Sequence, residues 1–469
     1  MPAPNAANPP GFAQALAHRS WALHWDDLPD EALHWAQVGL IDTLGVMLAG
    51  SAEPAPRLLA NALDLAPGPA LLVGSQRRIG ALDAAMINGT AAHALDFDDC
   101  NNTMGGHPSA PVLPALLALA DERGSRGREF LLAYITGFEV ETKIAMAVNF
   151  HHYQKGWHPT ATMGVFGAAA ACAKLMGLDE DRTAHALAIA ASLASGIKSN
   201  FGTMTKPLHV GHCARNGLMA ARLAGLDMTA NPAEVFEHRQ GFLDVFNGPG
   251  TYDTERALAA WADPLDIVRP GIAIKQYPCC GSTHPAIDAL LSLVHRHRYA
   301  PADVKQVQAW IHPRRLAHTN RPNPHSPTDS KFSLQYVLAR SLINGCVALE
   351  HFEAHAHQDP NVQALLPRIE VAGYGTDLFP QDNHFGGAVR LTLADGTVHE
   401  AQVDQPLGRS SDHPLPRVML EKKFALCASP VLTDPAVAAL LQAVHQLPSL
   451  EDVRIIGQHM TDLRKPFNY

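Results

Sequence analysis

The residues best suited to chemistry lie in one short stretch, residues 93–99, which reads His-Ala-Leu-Asp-Phe-Asp-Asp. Asp96, Asp98 and Asp99 place three carboxylates within four residues, and His107 follows at a Gly-His-Pro-Ser sequence. Carboxylate and imidazole groups held close together are the usual means by which enzymes move protons. An acidic turn with an N-cap between two helices would explain the same stretch without any function. The rest of the sequence must decide between these two interpretations.

Further protonatable side chains recur in turns beside apolar helical sequence. His158 and Lys206 each precede a proline, as His107 does, and proline disfavours a helix that continues through the preceding residue. Lys275 lies just before Cys279-Cys280, and Tyr153 precedes His158 by five residues. Taken singly, these are ordinary turns, a solvated lysine loop and packed thiols. Their recurrence favours a cleft that binds a small polyanion and moves protons.

Composition bounds the class of protein. The chain has 469 residues, 47% of them hydrophobic and 17% charged, which predicts a well-buried globular protein of two domains. The net charge is −9 and no run of Lys or Arg occurs, so nucleic acid is not an expected partner. Residues 1–5 do not begin a signal peptide, and no long apolar run predicts a membrane span. Seven cysteines favour a reducing compartment, and we expect a cytoplasmic location.

The sequence lacks the common cofactor motifs. There is no Cys-x-x-Cys and no His-Glu-x-x-His, and the 26 histidines are scattered. No Gly-x-Gly-x-x-Gly follows a predicted strand, and no phosphate-binding loop is present. We therefore predict that the protein uses neither a metal nor another cofactor.

Hydrophobic periodicity predicts a mainly α protein with an α+β part. Helical patterns fill most of the chain up to about residue 260, including 31–49, 109–122, 128–147, 160–175 and 179–194. Strand patterns then appear at 304–311, 368–372, 388–393 and 397–403, with Asp-Gly at the centre of the last pair. Helical patterns return at 415–427 and 434–445. We predict a discontinuous helical domain, residues 1–265 and 405–469, with a smaller α+β domain, residues 266–404, inserted in it.

The segments that carry the candidate chemistry resemble the MmgE/PrpD family over nearly the whole chain. The resemblance rests on residues 88–99, 106–109, 156–160, 201–208, 214–217, 275–280 and 331–333. This family includes 2-methylcitrate dehydratases, cis-aconitate decarboxylases and iminodisuccinate epimerases. The resemblance implies a helical domain with a smaller α+β lid, a homodimer, a site between the two domains and no metal.

The resemblance also assigns residues to that site. The positions that match the residues lining the family's active site are Asp96, His107, His158, Lys206 and Lys275. Tyr153 matches a tyrosine near the site in the epimerase branch, and we expect Thr203, in the Lys206 loop, to contact substrate. Cys100 and Cys280, also expected at the substrate, stand where the decarboxylase branch has threonine and histidine.

We therefore predict an enzyme that removes a proton next to a carboxylate of a small di- or tricarboxylate. Lys206 and Lys275 would bind carboxylates and stabilise the developing negative charge. His107 and His158 would be the acid–base pair, in either order, and Asp96 would orient or charge a neighbouring group. Dehydration of the 2-methylcitrate type is our first choice. Epimerisation of the iminodisuccinate type, decarboxylation of the cis-aconitate type and a non-catalytic carboxylate-binding protein are the alternatives.

Overall fold

The computed structural model describes residues 10–465, so the prediction about a signal peptide lies outside the described residues. The fold is mainly helical with a smaller α+β part, which confirms the predicted fold class. The described chain forms two compact units. The larger comprises residues 10–273, 410–412 and 416–465, and the smaller comprises residues 274–409 and 413–415.

The larger unit is helical apart from one short hairpin. Its helices are α1 (Phe12–Ala22), α2 (Asp30–Gly50), α3 (Pro54–Ala62), α4 (Ala81–Ala94), α5 (Ser109–Arg123), α6 (Gly127–Val148), α7 (His151–Lys155), α8 (Pro159–Thr162), α9 (Gly164–Met176), α10 (Glu180–Leu193), α11 (Thr205–Gly225), α12 (Thr254–Ala259), α18 (Arg417–Ala428), α19 (Asp434–His445) and α20 (Arg454–His459). The antiparallel hairpin pairs β1 (Pro67–Leu71) with β2 (Arg78–Ile79). We did not predict it, because two such short strands with Gly and Pro give no period-2 signal.

One detail of the predicted helices is wrong. The single helix predicted at 160–175 is two helices, α8 and α9, with Met163 between them. A Cβ at Gly164, where α9 begins, would lie 2.5 Å from Cγ of Pro111, so the break falls where α9 packs closely against α5. The helix α5 begins at Ser109, and the hydroxyl of Ser109 bonds to Asp99.

The smaller unit is a four-stranded mixed sheet covered by helices. Its elements are α13 (His284–His297), β3 (Val304–Ile311), α14 (Pro313–Thr319), α15 (Pro327–Ser330), α16 (Leu334–Asn344), α17 (Pro360–Leu365), β4 (Ile369–Gly373), β5 (Gly387–Leu393) and β6 (Val398–Val403). The strand order is β4-β3-β5-β6, with β3 parallel to β4 and the other pairs antiparallel. The four predicted strands are all present, and the Asp-Gly turn joins β5 to β6 as predicted.

Among the described residues, α2 is the one helix whose length and composition would allow it to cross a membrane. Of its most apolar window, 72% is buried inside the protein. A helix that packs in the core of a large unit has the same composition, so this feature is weak evidence for a membrane.

A close pair of helices, α4 and α11, positions the candidate catalytic residues. A Cβ at Gly89 on α4 would lie 3.0 Å from Cα of Gly211 on α11. A Cβ at Gly211 would lie only 2.0 Å from the carbonyl oxygen of Met86. The two backbones are thus in contact, and only glycine fits at this crossing. The crossing therefore fixes the position of the C-terminal end of α4 relative to the N-terminal end of α11.

We predict that Gly211→Ala lowers the free energy of unfolding by roughly 1–3 kcal/mol, because the new methyl group overpacks the α4–α11 crossing. Urea denaturation followed by circular dichroism measures this change. Gly80→Ser is the matched control, since a Cβ at Gly80 meets nothing within 4 Å and serine suits that N-cap position. Equal stability of Gly211→Ala and wild type would contradict the account of the crossing.

Candidate active site

The first carboxylate of the acidic stretch, Asp96, faces Lys206 across the α4–α11 pair. Asp96 follows the end of α4 with a φ of 54°, a left-handed conformation that is uncommon for a residue other than glycine. This conformation turns its carboxylate toward the first turn of α11, where Lys206 Nζ donates to Asp96 Oδ1. Their side chains are 11% and 10% exposed, so this ion pair is largely removed from water. Lys206 is therefore not the solvated loop lysine that the sequence alone allowed.

The second carboxylate, Asp98, bridges two imidazoles. Its Oδ2 lies 2.7 Å from Nδ1 of His93 and 3.1 Å from Nδ1 of His107. Burial raises the pKa of Asp98, but the two imidazoles more than offset this and hold the pKa well below its usual range. An ionised carboxylate only accepts hydrogen bonds, so both rings donate to it from Nδ1. This leaves Nε2 of His107 directed toward Asp96, at 3.8 Å from its Oδ1.

The third carboxylate, Asp99, is buried, and no cation among residues 10–465 forms an ion pair with it. Ser109 donates its backbone N–H and its hydroxyl to Asp99, and the Ser109 hydroxyl also bonds to that of Tyr134. Burial, together with the nearby Asp42 and Asp98 charges, raises the pKa of Asp99 well above its usual range. Burial therefore disfavours the ionised form of Asp99, whereas the two imidazoles favour the ionised form of Asp98.

His158 completes the group of imidazoles. It is 2% exposed, and its ring lies 5.7 Å from the His93 ring and 4.8 Å from the edge-on ring of Phe201. Its Nδ1 lies 3.3 Å from Nδ1 of His209 on α11, whereas its Nε2 has no hydrogen-bond partner among the described residues. Burial and the neighbouring cationic groups hold the pKa of His158 well below its usual range. His158 is therefore a neutral imidazole at neutral pH.

The two His-Pro segments support each other. The backbone N–H of His107 donates to the hydroxyl of Thr160, which lies two residues after His158. The backbone N–H of His158 in turn donates to the carbonyl of Gly196, 3.1 Å away. Together with the contacts of Asp96 to His107 and Lys206, the bond from His107 to Thr160 brings together Asp96, His107, His158 and Lys206, four of the residues predicted for the site. We refer to these four together with His93 and Asp98 as the histidine cluster.

The remaining predicted residues of the larger unit have different surroundings. Cys100 belongs to the same loop, with its Sγ 3.8 Å from Nδ1 of His107. Tyr153, on α7, lies under Lys198, whose Nζ is 3.3 Å from the centre of the tyrosine ring. The exposed Thr203 bonds through its hydroxyl to the carbonyl of Asn200 and shapes the turn before α11. Substrate contact by these three residues stays a prediction.

Lys275 and Cys280 lie in the smaller unit. Lys275 is 5% exposed, and Cys280 lies 3.7 Å by its Sγ from Nε2 of His318. The backbone N–H of Cys280 donates to the carbonyl of Lys331. Their roles toward a substrate also stay predictions.

The sequence interpretation missed the residues that hold the catalytic candidates in place. We predicted that Asp96 would orient or charge a neighbouring group, and it pairs with Lys206, but we gave no role to Asp98, which accepts a hydrogen bond from Nδ1 of His107. We gave no role to His93 or to His209, which contacts His158. Signals were present, since His93 and Asp98 belong to the stretch we singled out and His209 follows Lys206 by three residues on one helix. Spacing alone could not show which carboxylate meets which imidazole.

Three neighbouring side chains of the histidine cluster are of the kinds that bind metal ions. Ligand atoms of His93, Asp98 and His107 lie within 4.8 Å of one another, the one such group among the described residues. Two ligands of a tetrahedral zinc ion lie about 3.3 Å apart, given metal–ligand distances of about 2.0 Å. The separation of 2.7 Å between His93 and Asp98 is that of a hydrogen bond. The group therefore fits a hydrogen-bonded network better than a set of metal ligands.

Comparison with known proteins identifies a family that matches most of the chain. The family model of the MmgE/PrpD N-terminal domain matches residues 14–255, and that of the MmgE/PrpD C-terminal domain matches residues 277–447. The histidine cluster lies within the first match. The resemblance predicted from the residue segments is thereby confirmed.

Individual relatives include two kinds of enzyme. The chain is 33% identical to the cis-aconitate decarboxylase of Homo sapiens over 383 residues, which cover 80% of this chain and 78% of that protein. It is 27% identical to the cis-aconitate decarboxylase of Aspergillus terreus over 468 residues, or 94% of each chain. It is 27% identical to the 2-methylcitrate dehydratase of Cupriavidus necator over 414 residues, or 82% of this chain and 83% of that protein.

We predict that Lys206→Met lowers the free energy of unfolding by about 3–5 kcal/mol, because it leaves the Asp96 carboxylate buried without its cation. Chemical denaturation measures this, and Lys155→Met, which changes an exposed lysine on α7, is the control. The double variant Asp96→Asn/Lys206→Met should lose less than the two single variants add up to, since it leaves neither charge alone. Additive losses, or a stable Lys206→Met, would show that the pair does not form.

Proposed function

The chain belongs to the MmgE/PrpD family, and from that premise we propose that it is a lyase acting on a small di- or tricarboxylate. The proposed reaction removes a proton from a carbon next to a carboxylate and eliminates water, as in dehydration of the 2-methylcitrate type. The named relatives support this class, since both are lyases of small carboxylates by their names. The choice of dehydration over decarboxylation depends on whether one of the imidazoles is neutral and can act as a base.

The observation that carries the proposal is the neutral, buried imidazole of His158. A general base must be unprotonated at the working pH, and burial holds the pKa of His158 well below its usual range. If His158 donates from Nδ1 to His209, its Nε2 carries the lone pair, and that atom has no hydrogen-bond partner among the described residues. His209 would then be a positioning residue that fixes the tautomer. Substrate would have to reach Nε2 within the cluster.

The acid of the pair is then His107. Carboxylates stand at both of its nitrogens, with Asp98 3.1 Å from Nδ1 and Asp96 3.8 Å from Nε2. These two carboxylates can accept hydrogen bonds from both ring nitrogens of His107, whereas the charged neighbours of His158 are cationic. Opposed environments of this kind separate the roles of acid and base. The order of the pair that the sequence left open is thus proposed as His158 base and His107 acid.

The elimination balances with these groups. His158 takes the proton from the carbon next to the carboxylate, the carbon–carbon double bond forms, and the hydroxyl group leaves as water with the proton of His107. Negative charge develops on the substrate carboxylate as the proton departs, and a preorganised cation stabilises it. Lys206 is the cation of the histidine cluster, and we propose Lys275 of the smaller unit as a second carboxylate-binding lysine.

Decarboxylation of the cis-aconitate type is the second candidate. It is favoured by the identity of 33% to the human decarboxylase, against 27% to the Cupriavidus necator dehydratase. Here carbon dioxide leaves and His107 would deliver a proton to the carbon it leaves, so His158 would not act as a base. Analysis of the products from 2-methylcitrate, citrate, cis-aconitate and iminodisuccinate by NMR separates the two reactions. It also tests epimerisation, for which Tyr153 was the predicted residue.

Assembly and location stay predictions. We propose a homodimer, as the family resemblance implies, and a cytoplasmic enzyme without nucleic acid or membrane partners. None of the seven cysteines, which all lie within residues 10–465, forms a disulfide, as expected for a protein in a reducing compartment.

We predict that His158→Gln lowers kcat by about 10²- to 10⁴-fold, the usual contribution of a general base. In deuterium oxide, wild type should incorporate solvent deuterium into recovered substrate, and His158→Gln should not. The acid limb of the wild-type kcat/KM profile should lie well below pH 6.5, because activity is lost only when falling pH protonates His158.

The control is His151→Gln, which changes an exposed histidine on α7 and should behave as wild type. Full turnover and exchange in His158→Gln would overturn the base assignment. Decarboxylation without any exchange would favour the second candidate instead.

A further inference from the structure

The smaller unit contains a second group of cations that the sequence interpretation did not single out. Arg315 on α14 and Arg409 both stack on Phe385, with each guanidinium carbon 4.6 Å from the centre of its ring. Arg315 Nε also donates to the carbonyl of His384 at 2.6 Å. One aromatic ring thus holds two like charges close together, although like charges repel.

Arg315 has only neutral hydrogen-bond partners. Its second bond runs from Nη1 to the hydroxyl of Ser282, 3.4 Å away, and no carboxylate among the described residues forms an ion pair with it. Burial, together with the neighbouring Arg409, lowers the pKa of Arg315 to about 9. A partly desolvated guanidinium beside another cation would be strongly stabilised by an anion.

The surroundings of Arg315 have room and further donors for such an anion. A Cβ at Gly281 would lie 3.9 Å from Nη1 of Arg409 and 4.0 Å from Cε of Lys275, so both cations flank a position without a side chain. The next residue, Ser282, contacts Arg315, and its hydroxyl also lies 3.1 Å from Nε2 of His318. Three cations therefore border the backbone of residues 281–282.

We propose that Arg315, with Arg409 and Lys275, binds a carboxylate group of the substrate over residues 281–282. The proposal rests on the proposed function in one respect, since it takes the anion to be the polycarboxylate that the enzyme transforms. The planar guanidinium of Arg315 suits a carboxylate because it can donate two parallel hydrogen bonds. Arg315 would thus set the preference for substrates with a carboxylate at this position.

Binding of tricarballylate, propane-1,2,3-tricarboxylate, tests the proposal without turnover, because this compound has neither a hydroxyl group to eliminate nor a double bond. Isothermal titration calorimetry should show binding to wild type and a Kd on the order of 30-fold higher for Arg315→Gln, as truncation of a charge pair gives. Arg315→Lys, which keeps the positive charge but not the planar guanidinium, should have a Kd between those of wild type and Arg315→Gln. Arg314→Gln is the matched control, since Arg314 is the exposed neighbour on α14.

The outcomes distinguish this proposal from the proposed function. Equal affinity of wild type and Arg315→Gln, or no binding to wild type, would overturn the role of Arg315, whether or not wild type turns over a carboxylate. A loss of affinity in Arg315→Gln, with no turnover of any carboxylate by wild type, would support Arg315 and overturn the proposed function. If Arg315→Gln does not fold by circular dichroism, Arg315→Lys decides, since wild-type affinity in that variant would contradict recognition by the guanidinium fork.

Discussion

The arrangement of the larger unit depends on one buried negative charge, the carboxylate of Asp98. It is fully buried, and an isolated carboxylate cannot stay ionised in such a place without compensation. Two imidazoles supply that compensation from their Nδ1 atoms, which fixes the orientation of His93 and of His107. The buried Lys423 on α18 donates to the carbonyl of the adjacent Phe97, so the returning C-terminal helices also hold this loop. Because the buried carboxylate of Asp98 needs hydrogen-bond donors, the loop that carries His107 is held in the conformation that supplies one of them.

The same loop shows how one sequence feature gives three chemical states. Asp96 pairs with Lys206, the two imidazoles hold the pKa of Asp98 well below its usual range, and burial raises the pKa of Asp99 well above its usual range. A carboxylate therefore lies near each nitrogen of His107, whereas the charged neighbours of His158 are cationic. This difference allows two histidines with the same intrinsic chemistry to serve as acid and base.

The sequence predicted much of the fold because strong periodicity and turn signals decide local structure. The strand β3 and the Asp-Gly turn after β5 were found in this way, as was α19. The short hairpin β1–β2 and the break at Met163 were not, since tertiary packing decides them. Within the site, residue types and the family resemblance identified His107, His158 and Lys206. The partners of these residues lie far from them in the sequence. Asp96 and Lys206, for example, meet because α4 and α11 cross at Gly211, and the sequence does not reveal this crossing.

The central claim is that burial keeps His93 and His158 neutral, although the carboxylate of Asp98 beside His93 is ionised. Burial lowers the pKa of His93 to about 4 and holds that of His158 well below 6.5. The most direct test is an NMR titration of protein labelled at its histidine rings, with each signal assigned by a single His→Gln variant. We predict that both rings are still neutral at about pH 5.5, whereas an unperturbed histidine titrates near about 6.5. A pKa of His158 near about 6.5 would contradict the account, because burial would then not lower the pKa of this imidazole below that of an ordinary histidine.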